Sequence, residues 1–186
     1  MNSQQLCYRV ALLALLAAVS GHDRATAQSK APNIDLKVAT WNKTLADIKA
    51  FKGQVVVVDM WSTSCIPCMK EFPNLVKLQA KYGKRVVCIS FNCDYLGIVG
   101  KPPESYRGRA LKFLTKQRAS FLNILSSTPS DELFDQIDLG SIPAIYVFDT
   151  SGRLAHRFDN DDRDNGDEFT YKAHVVPLVE KLLNTK

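Results

Sequence analysis

The chain has 186 residues, room for one ordinary domain with a real core and little more. Its composition, 46% hydrophobic and 23% charged, is that of a soluble globular protein, and no internal repeat or low-complexity block is present. The formal charge of +5 comes from 24 Lys and Arg scattered among 19 acids rather than clustered, which argues against a nucleic-acid surface.

Arg9 precedes the apolar run Val10–Val19, which has the length of a signal-peptide core and about half of the ~20 residues a membrane-spanning helix needs. Ala25-Thr-Ala27 supplies small residues for a peptidase, so residues 1–27 read as a signal peptide cut after Ala27. A cut after Ser20 and an uncleaved anchor are the other readings. Either way the domain faces an exported, periplasm-like compartment. Cys7 lies ahead of the apolar run and falls outside the chemistry. Four cysteines then remain: Cys65, Cys68, Cys88 and Cys93. In an oxidising compartment thiols either staple a fold or exchange, and two of them three residues apart suit exchange.

Residues 28–40 read as a polar leader with a weakly alternating strand from Ile34 to Ala39, and 41–186 as the main domain. Thr44, with Asp47 at the capping-box position, predicts a helix running to Phe51 and ended by Gly53. Val55-Val-Val-Val-Asp59 is a continuous β-branched run, the pattern of a strand buried on both faces. A helical pattern follows the cysteine motif to Tyr82 and is closed by Gly83. Val86–Phe91 is a second buried strand, and 92–106, with two glycines and two prolines, reads as loop. A helix from about Ser105 to Arg118, a strand near Phe121–Leu125 and a helix capped by Ser130 come next. Ala144–Asp149 and Arg153–Phe158 pair through a Thr150-Ser-Gly152 turn. A last amphipathic helix, Tyr171–Leu183, carries Val175, Leu178, Val179 and Leu182 at helical spacing. Strand–helix units ending in a ββα unit predict an α/β sandwich with helices on both faces.

Cys65-Ile-Pro-Cys68 stands between a buried strand and a helix. One helical turn brings the two α-carbons within the roughly 4.4–6.8 Å a disulfide spans. The first cysteine sits at a helix N-terminus, where unpaired N–H groups and the dipole favour a thiolate and lower its pKa from about 8.5 toward 7. It is the nucleophile; the second, deeper in the first turn, resolves the mixed disulfide. Pro67 suits a first turn that needs no N–H. The same spacing serves a structural disulfide or half a zinc site, but no second Cys-x-x-Cys exists. Met69 rather than histidine follows Cys68, which excludes haem attachment.

Asp59-Met-Trp-Ser-Thr-Ser-Cys65-Ile-Pro-Cys68-Met-Lys-Glu71-Phe-Pro73, with Ile142-Pro143 before a strand and Phe148-Asp-Thr-Ser-Gly152-Arg after it, resembles thioredoxin, and more closely the exported TlpA/ResA-like thioredoxins. The resemblance covers roughly residues 35–183. It implies a thioredoxin-like three-layer sandwich around a mixed sheet and a thiol–disulfide oxidoreductase. No cofactor is implied beyond the redox-active disulfide Cys65–Cys68, and no metal. Residue by residue, it makes Cys65 the attacking and Cys68 the resolving thiol. Pro143 becomes a cis proline facing the pair, and the Ile142 backbone pairs with an incoming substrate. Asp59 becomes a buried acid of raised pKa that takes the Cys68 proton. Glu71 matches the acid of ResA-like proteins, and Pro73 a helix-kinking proline. Trp61, Ile66 and Pro67 join Ile142 as substrate contacts.

The implied partners are protein disulfides and a membrane thiol-reductant conduit, for a monomer, with cytochrome c maturation as one pathway. Ser64 departs from the tryptophan common before the first cysteine. Ile66-Pro67 lacks the histidine of strongly oxidising relatives, which implies a potential nearer thioredoxin's ~−270 mV than DsbA's ~−120 mV.

Cys88 reads as a small core residue; Cys93, just past the same strand, is a candidate third redox thiol. An odd separation puts the two on opposite faces. The alternative function is a Sco-like copper-binding or delivery protein using Cys65, Cys68 and His156, a thiolate–imidazole set that suits copper. A thiol peroxidase is disfavoured by Ser62, which stands where a peroxidatic threonine is expected. The run Asp159–Glu168 hints at calcium, but Arg163 interrupts it, so it reads as a solvated insertion.

Overall fold

Four consecutive valines decide the centre of the molecule. In β2 (Val55–Trp61) every residue is buried. Val55, Val57 and Trp61 enter one core, and Val56, Val58 and Met60 the other. β-Branched side chains lose little freedom on a pleated surface, and each such burial contributes about 1.5–3 kcal/mol. β3 (Val86–Asn92) pairs with β2 in parallel, and β5 (Ala144–Phe148) pairs antiparallel on its other side. β4 (Leu122–Ser126) and β1 (Lys37–Ala39) extend the parallel half, and β6 (Leu154–Phe158) closes the other edge. The order is β1-β4-β3-β2-β5-β6.

Parallel neighbours require crossovers, and helices supply them. One face is covered by α2 (Ile66–Glu71) and α3 (Pro73–Tyr82), α4 (Arg107–Gln117), and the C-terminal helix α6 (Val176–Asn184). The other is covered by α1 (Trp41–Ile48) and α5 (Ser130–Gln136). This is the thioredoxin-like three-layer sandwich expected from the sequence. The computed structural model describes residues 33–159 and 169–185. The expected signal peptide, the leader to residue 32 and the acidic run from residue 160 onward lie outside the described residues. The compact unit runs over Ala31–Lys186 and includes β1. Among the described residues no helix is long and apolar enough to cross a membrane.

Local signals were displaced where tertiary packing outranked them. The first helix is capped by Thr40, whose hydroxyl accepts from the Lys43 N–H at 3.1 Å. Thr44 lies inside the helix, buried, with its hydroxyl donating to the Thr40 carbonyl. The shift brings Trp41 into the core against Phe91 and Tyr146, with ring centroids 5.4 and 5.0 Å away. Asp47 pairs with Lys43 instead of completing a capping box. Ser130 makes no cap bond; Pro129 holds the extended position before it. Pro73 has no N–H to return to the Met69 carbonyl, so the active-site helix divides into α2 and α3. The last helix opens with one π turn, Tyr171–Val175, capped by the Thr170 hydroxyl on the Ala173 N–H.

Strands β1 to β4 run parallel, so their C-terminal ends share one edge, and β5 enters from it. The connections 62–65, 93–106, 127–129 and 139–143 therefore converge there.

Candidate active site

Cys65 occupies the cap position of α2 with an extended backbone, and its Sγ accepts from the Cys68 N–H at 3.2 Å. Its carbonyl accepts from the Met69 N–H, and its N–H donates to the Ser62 carbonyl, both at 3.1 Å. One of the N–H groups a helix start leaves open, that of Cys68, is thus directed at this sulfur. Cys65 and Cys68 are joined in a disulfide with Cα atoms 5.3 Å apart. Cys65 is half-buried, whereas Cys68 is 1% exposed. An incoming group therefore meets Cys65 first. The Ile142 carbonyl oxygen lies 3.7 Å from Cys65 Sγ. A disulfide sulfur has no proton to give, so this is a contact that only the reduced thiol converts to a hydrogen bond. Ile142–Pro143 is a cis peptide bond. Ile66, 74% exposed, and Pro67, also exposed, flank the pair on the surface.

Trp61 corrects an expectation. It touches no surface: it is fully buried, with its ring 5.1 Å from Phe72 and 4.8 Å from Phe113. A tryptophan at the last position of an interior strand packs under the helices that follow it. Its role is to support the cysteine loop from below.

That loop is tied from the other side by a residue the sequence did not single out. Asp94, buried just past β3, accepts at Oδ1 from the Ser62 hydroxyl at 2.6 Å and the Thr63 N–H at 2.8 Å. Its Oδ2 accepts from the Thr63 hydroxyl at 2.8 Å. The Ser62 and Ser64 hydroxyls share a 2.7 Å bond, so all three residues before Cys65 belong to one network. The Arg109 guanidinium stands 4.0 Å from Asp94. The only sequence cue was a carboxylate following a buried strand at the active edge.

Asp59 is buried on β2, two residues before Trp61 and so on the same face of the strand, and accepts from the Tyr171 hydroxyl at 2.6 Å. Burial lifts its carboxyl to about 7; the Tyr171 bond pulls it back down, and the Glu71 charge adds to the rise. A carboxyl that titrates near neutrality exchanges protons readily at working pH. The same burial, with Asp59 beside it, pushes the Tyr171 hydroxyl well up, so that group stays a donor. Glu71, half-buried at the end of α2, accepts from the Asn74 amide at 3.0 Å. In the sequence Tyr171 signals only the start of a helix.

Cys88 and Cys93 sit in opposite cores, as their odd separation implies. Burial pushes both thiols far up, with Asp59 adding to Cys88 and Asp94 and Asp59 adding to Cys93. Cys93 does line a cavity of about 480 Å³ together with Cys65, Ser64, Arg109, Phe134 and Ile142. His156 is exposed on the edge strand, opposite Val147, where its ring meets that of Phe158 edge-on. Among the described residues no group of three His, Cys, Asp or Glu side chains is placed to hold a metal, so the copper set Cys65, Cys68 and His156 is not assembled.

Comparison with known proteins agrees with this geometry. The chain is 29% identical over 112 residues to the thiol-disulfide oxidoreductase ResA of Bacillus cereus, covering 54% of this chain and 64% of that one. It is 24% identical over 168 residues to ResA of Bacillus thuringiensis, covering 84% and 89%. Four of the curated relatives it matches are spanned over less than two thirds of their own length. The crystal structure of a DsbF homologue from Corynebacterium diphtheriae superposes with a TM-score of 0.53 at 20% identity, over 74% of this chain and 76% of that one, which speaks to the fold alone. Residues 26–174 match the Redoxin family model, and the chain belongs to that family.

Proposed function

We propose that the protein is an exported thiol–disulfide oxidoreductase that reduces protein disulfides through Cys65 and Cys68. The observation that carries this reading is a half-buried sulfur at a helix start, bonded to a buried one beneath it. In the reduced state the Cys65 thiolate attacks one sulfur of a partner disulfide. The bond to the other sulfur breaks and that sulfur leaves as a thiolate. Cys68 then loses its proton, for which Asp59 is the acceptor, and attacks Cys65 Sγ. The mixed disulfide breaks, the partner leaves with two thiols after protonation, and Cys65–Cys68 is the oxidised product. Two electrons pass from the protein to its partner. A dithiol donor, reached through a membrane thiol conduit, restores the pair. The cis Ile142–Pro143 segment beside Cys65 holds the incoming strand. Export rests on the N-terminal apolar run, and cytochrome c maturation is one pathway such a reductant serves.

Trapping tests the reading. With Cys68→Ala, Cys65 is expected to remain in mixed disulfides that dithiothreitol releases; a variant that accumulates none overturns the assignment. A potential near −270 mV is expected from the Ile66-Pro67 dipeptide, and one near −120 mV would reverse the direction of flow.

A further inference from the structure

The loop after β3 presents apolar side chains to water from a fixed backbone. Leu96 is 56% exposed, Ile98 46% and Val99 98%. A slack loop would fold such residues inward or fray; this one is tied at several points. The Tyr95 carbonyl accepts from the Ser130 N–H at 2.8 Å, and Tyr95 packs edge-on to Tyr106 at 5.8 Å. The Lys101 N–H closes a turn onto the Ile98 carbonyl at 2.9 Å. Gly97 adopts φ +68° against the Pro129 ring.

This loop continues the active site. The cavity beside Cys65 and Ile142 and a second one of about 620 Å³, lined by Ile98, Lys101, Ser105 and Tyr106, share Leu96 and Arg109 as their common wall. Arg109 is two-thirds exposed, and its one described partner is Asp94 at 4.0 Å. Asp94 is itself buried and already engaged by Ser62 and Thr63. The guanidinium therefore has donors to offer an incoming carboxylate, with Lys101 adding a second positive charge in the same cavity. Of the five large apolar side chains most exposed among the described residues, Leu96, Ile98 and Val99 stand on this loop, Ile66 on the active-site helix, and only Leu154 on the edge strand β6.

Building on the exchange reading above, we infer that loop 95–101 and Arg109 extend the Cys65–Ile142 site into a groove for one class of partner. That partner is a polypeptide disulfide whose cysteine is flanked by apolar and acidic side chains. The apolar residue covers Ile98 and Val99, and the carboxylate meets Arg109.

The test uses the reduced full chain and matched peptide disulfides in which the cysteine is flanked by Leu and Glu, Leu and Gln, or Leu and Lys, with neutral dipyridyl disulfide as a small reference. The Glu peptide is expected to react about five- to tenfold faster than the Lys peptide at low salt, with the ratio falling as salt rises. Arg109→Gln should lower that ratio at least about twofold, the remainder being the charge of Lys101. Ile98→Ser with Val99→Ser should slow the Leu-bearing peptides relative to dipyridyl disulfide. Leu154→Ser, an apolar change on the edge strand at an exposure close to that of Ile98, should leave the ratios unchanged. Equal rates for the Glu and Lys peptides in the wild type overturn the groove while leaving exchange intact. No reaction with any disulfide, dipyridyl included, overturns the exchange reading and the groove with it.

Discussion

β2 and β3 are neighbours, pair in register over seven residues and end at the same edge, yet their continuations differ. β2 turns within four residues into a helix that carries a disulfide. β3 runs on through Cys93 and Asp94 into a long loop with an apolar tip. Each strand end carries a cysteine, and burial separates them. Cys65 receives a helix N–H and reaches solvent; Cys93 is 3% exposed beside a carboxylate. Identical chemical groups beyond adjacent strand ends thus divide into a sulfur that reaches solvent and a thiol sealed in the core. The short, fully bonded turn carries the proposed exchange, and the long loop supplies surface.

The largest expected effect breaks this comparison directly. Alkylation of the reduced protein with iodoacetamide at pH 7 should modify Cys65 at least about a thousandfold faster than Cys88 or Cys93, since a thiolate reacts and a buried thiol does not. Mass mapping reads the sites. Comparable rates at Cys93 would make it a third redox thiol.

The next effect concerns the buried carboxyl of Asp59. Asp59 has a folded pKa of about 7 against an ordinary 3.8, so the native state holds the extra proton between these values. Its contribution is fully present below about pH 4 and is lost as pH rises through 7, leaving a cost on the order of 4 kcal/mol above that. Asp59→Asn, which keeps an acceptor for Tyr171, should therefore raise the denaturation midpoint at pH 8 and leave it little changed at pH 4. The same variant should slow exchange by about tenfold or more and remove an inflection near pH 7 from the rate profile. A midpoint that falls at pH 8 would show that the charged form is favoured by the fold.

Much of the architecture was legible because interior strands buried on both faces announce themselves: Val55–Val58, Val86–Phe91 and Ala144–Phe148 are apolar runs that require cover on both sides. The Cys65–Cys68 pair was legible because its chemistry depends on local spacing. What failed to show was whatever depends on two distant segments meeting. Asp94 reaches Ser62 and Thr63 across more than thirty residues, and Tyr171 reaches Asp59 across 112. Neither bond leaves a periodic trace in the chain. Thr40 displaced Thr44 as a cap because burying Trp41 outweighs a local capping box, and Trp61 was mistaken for a contact surface because aromatics beside a cysteine motif serve either purpose.

Asp94 joins the two strand ends, and its removal should loosen one through the other. Asp94→Ala withdraws a buried acceptor from three donors and is expected to lower stability by about 2–3 kcal/mol. It should also slow Cys65 alkylation several-fold, because residues 62–64 no longer hold the helix start in place. Asp94→Asn keeps an acceptor at Oδ1 and should recover most of the alkylation rate. A full loss of stability with an unchanged thiol rate would confine Asp94 to a packing role.

The smallest effect tests whether the β3 loop is built or merely long. Gly97 and Gly100 both hold positive φ, +68° and +78°, so alanine at either carries a backbone penalty of about 1 kcal/mol. They differ in what a Cβ would meet. At Gly100 nothing lies within 4 Å, whereas at Gly97 the Pro129 Cγ would stand 2.9 Å away and its Cβ 3.1 Å away. A proline ring has no flexible end to swing aside, so Gly97→Ala must move the loop or the segment before α5. Gly97→Ala should therefore destabilise by about 1 kcal/mol more than Gly100→Ala in parallel denaturant titrations. Equal losses would mean that Pro129 yields freely and that the loop's position is set elsewhere, by the Tyr95 carbonyl and the Tyr95–Tyr106 contact.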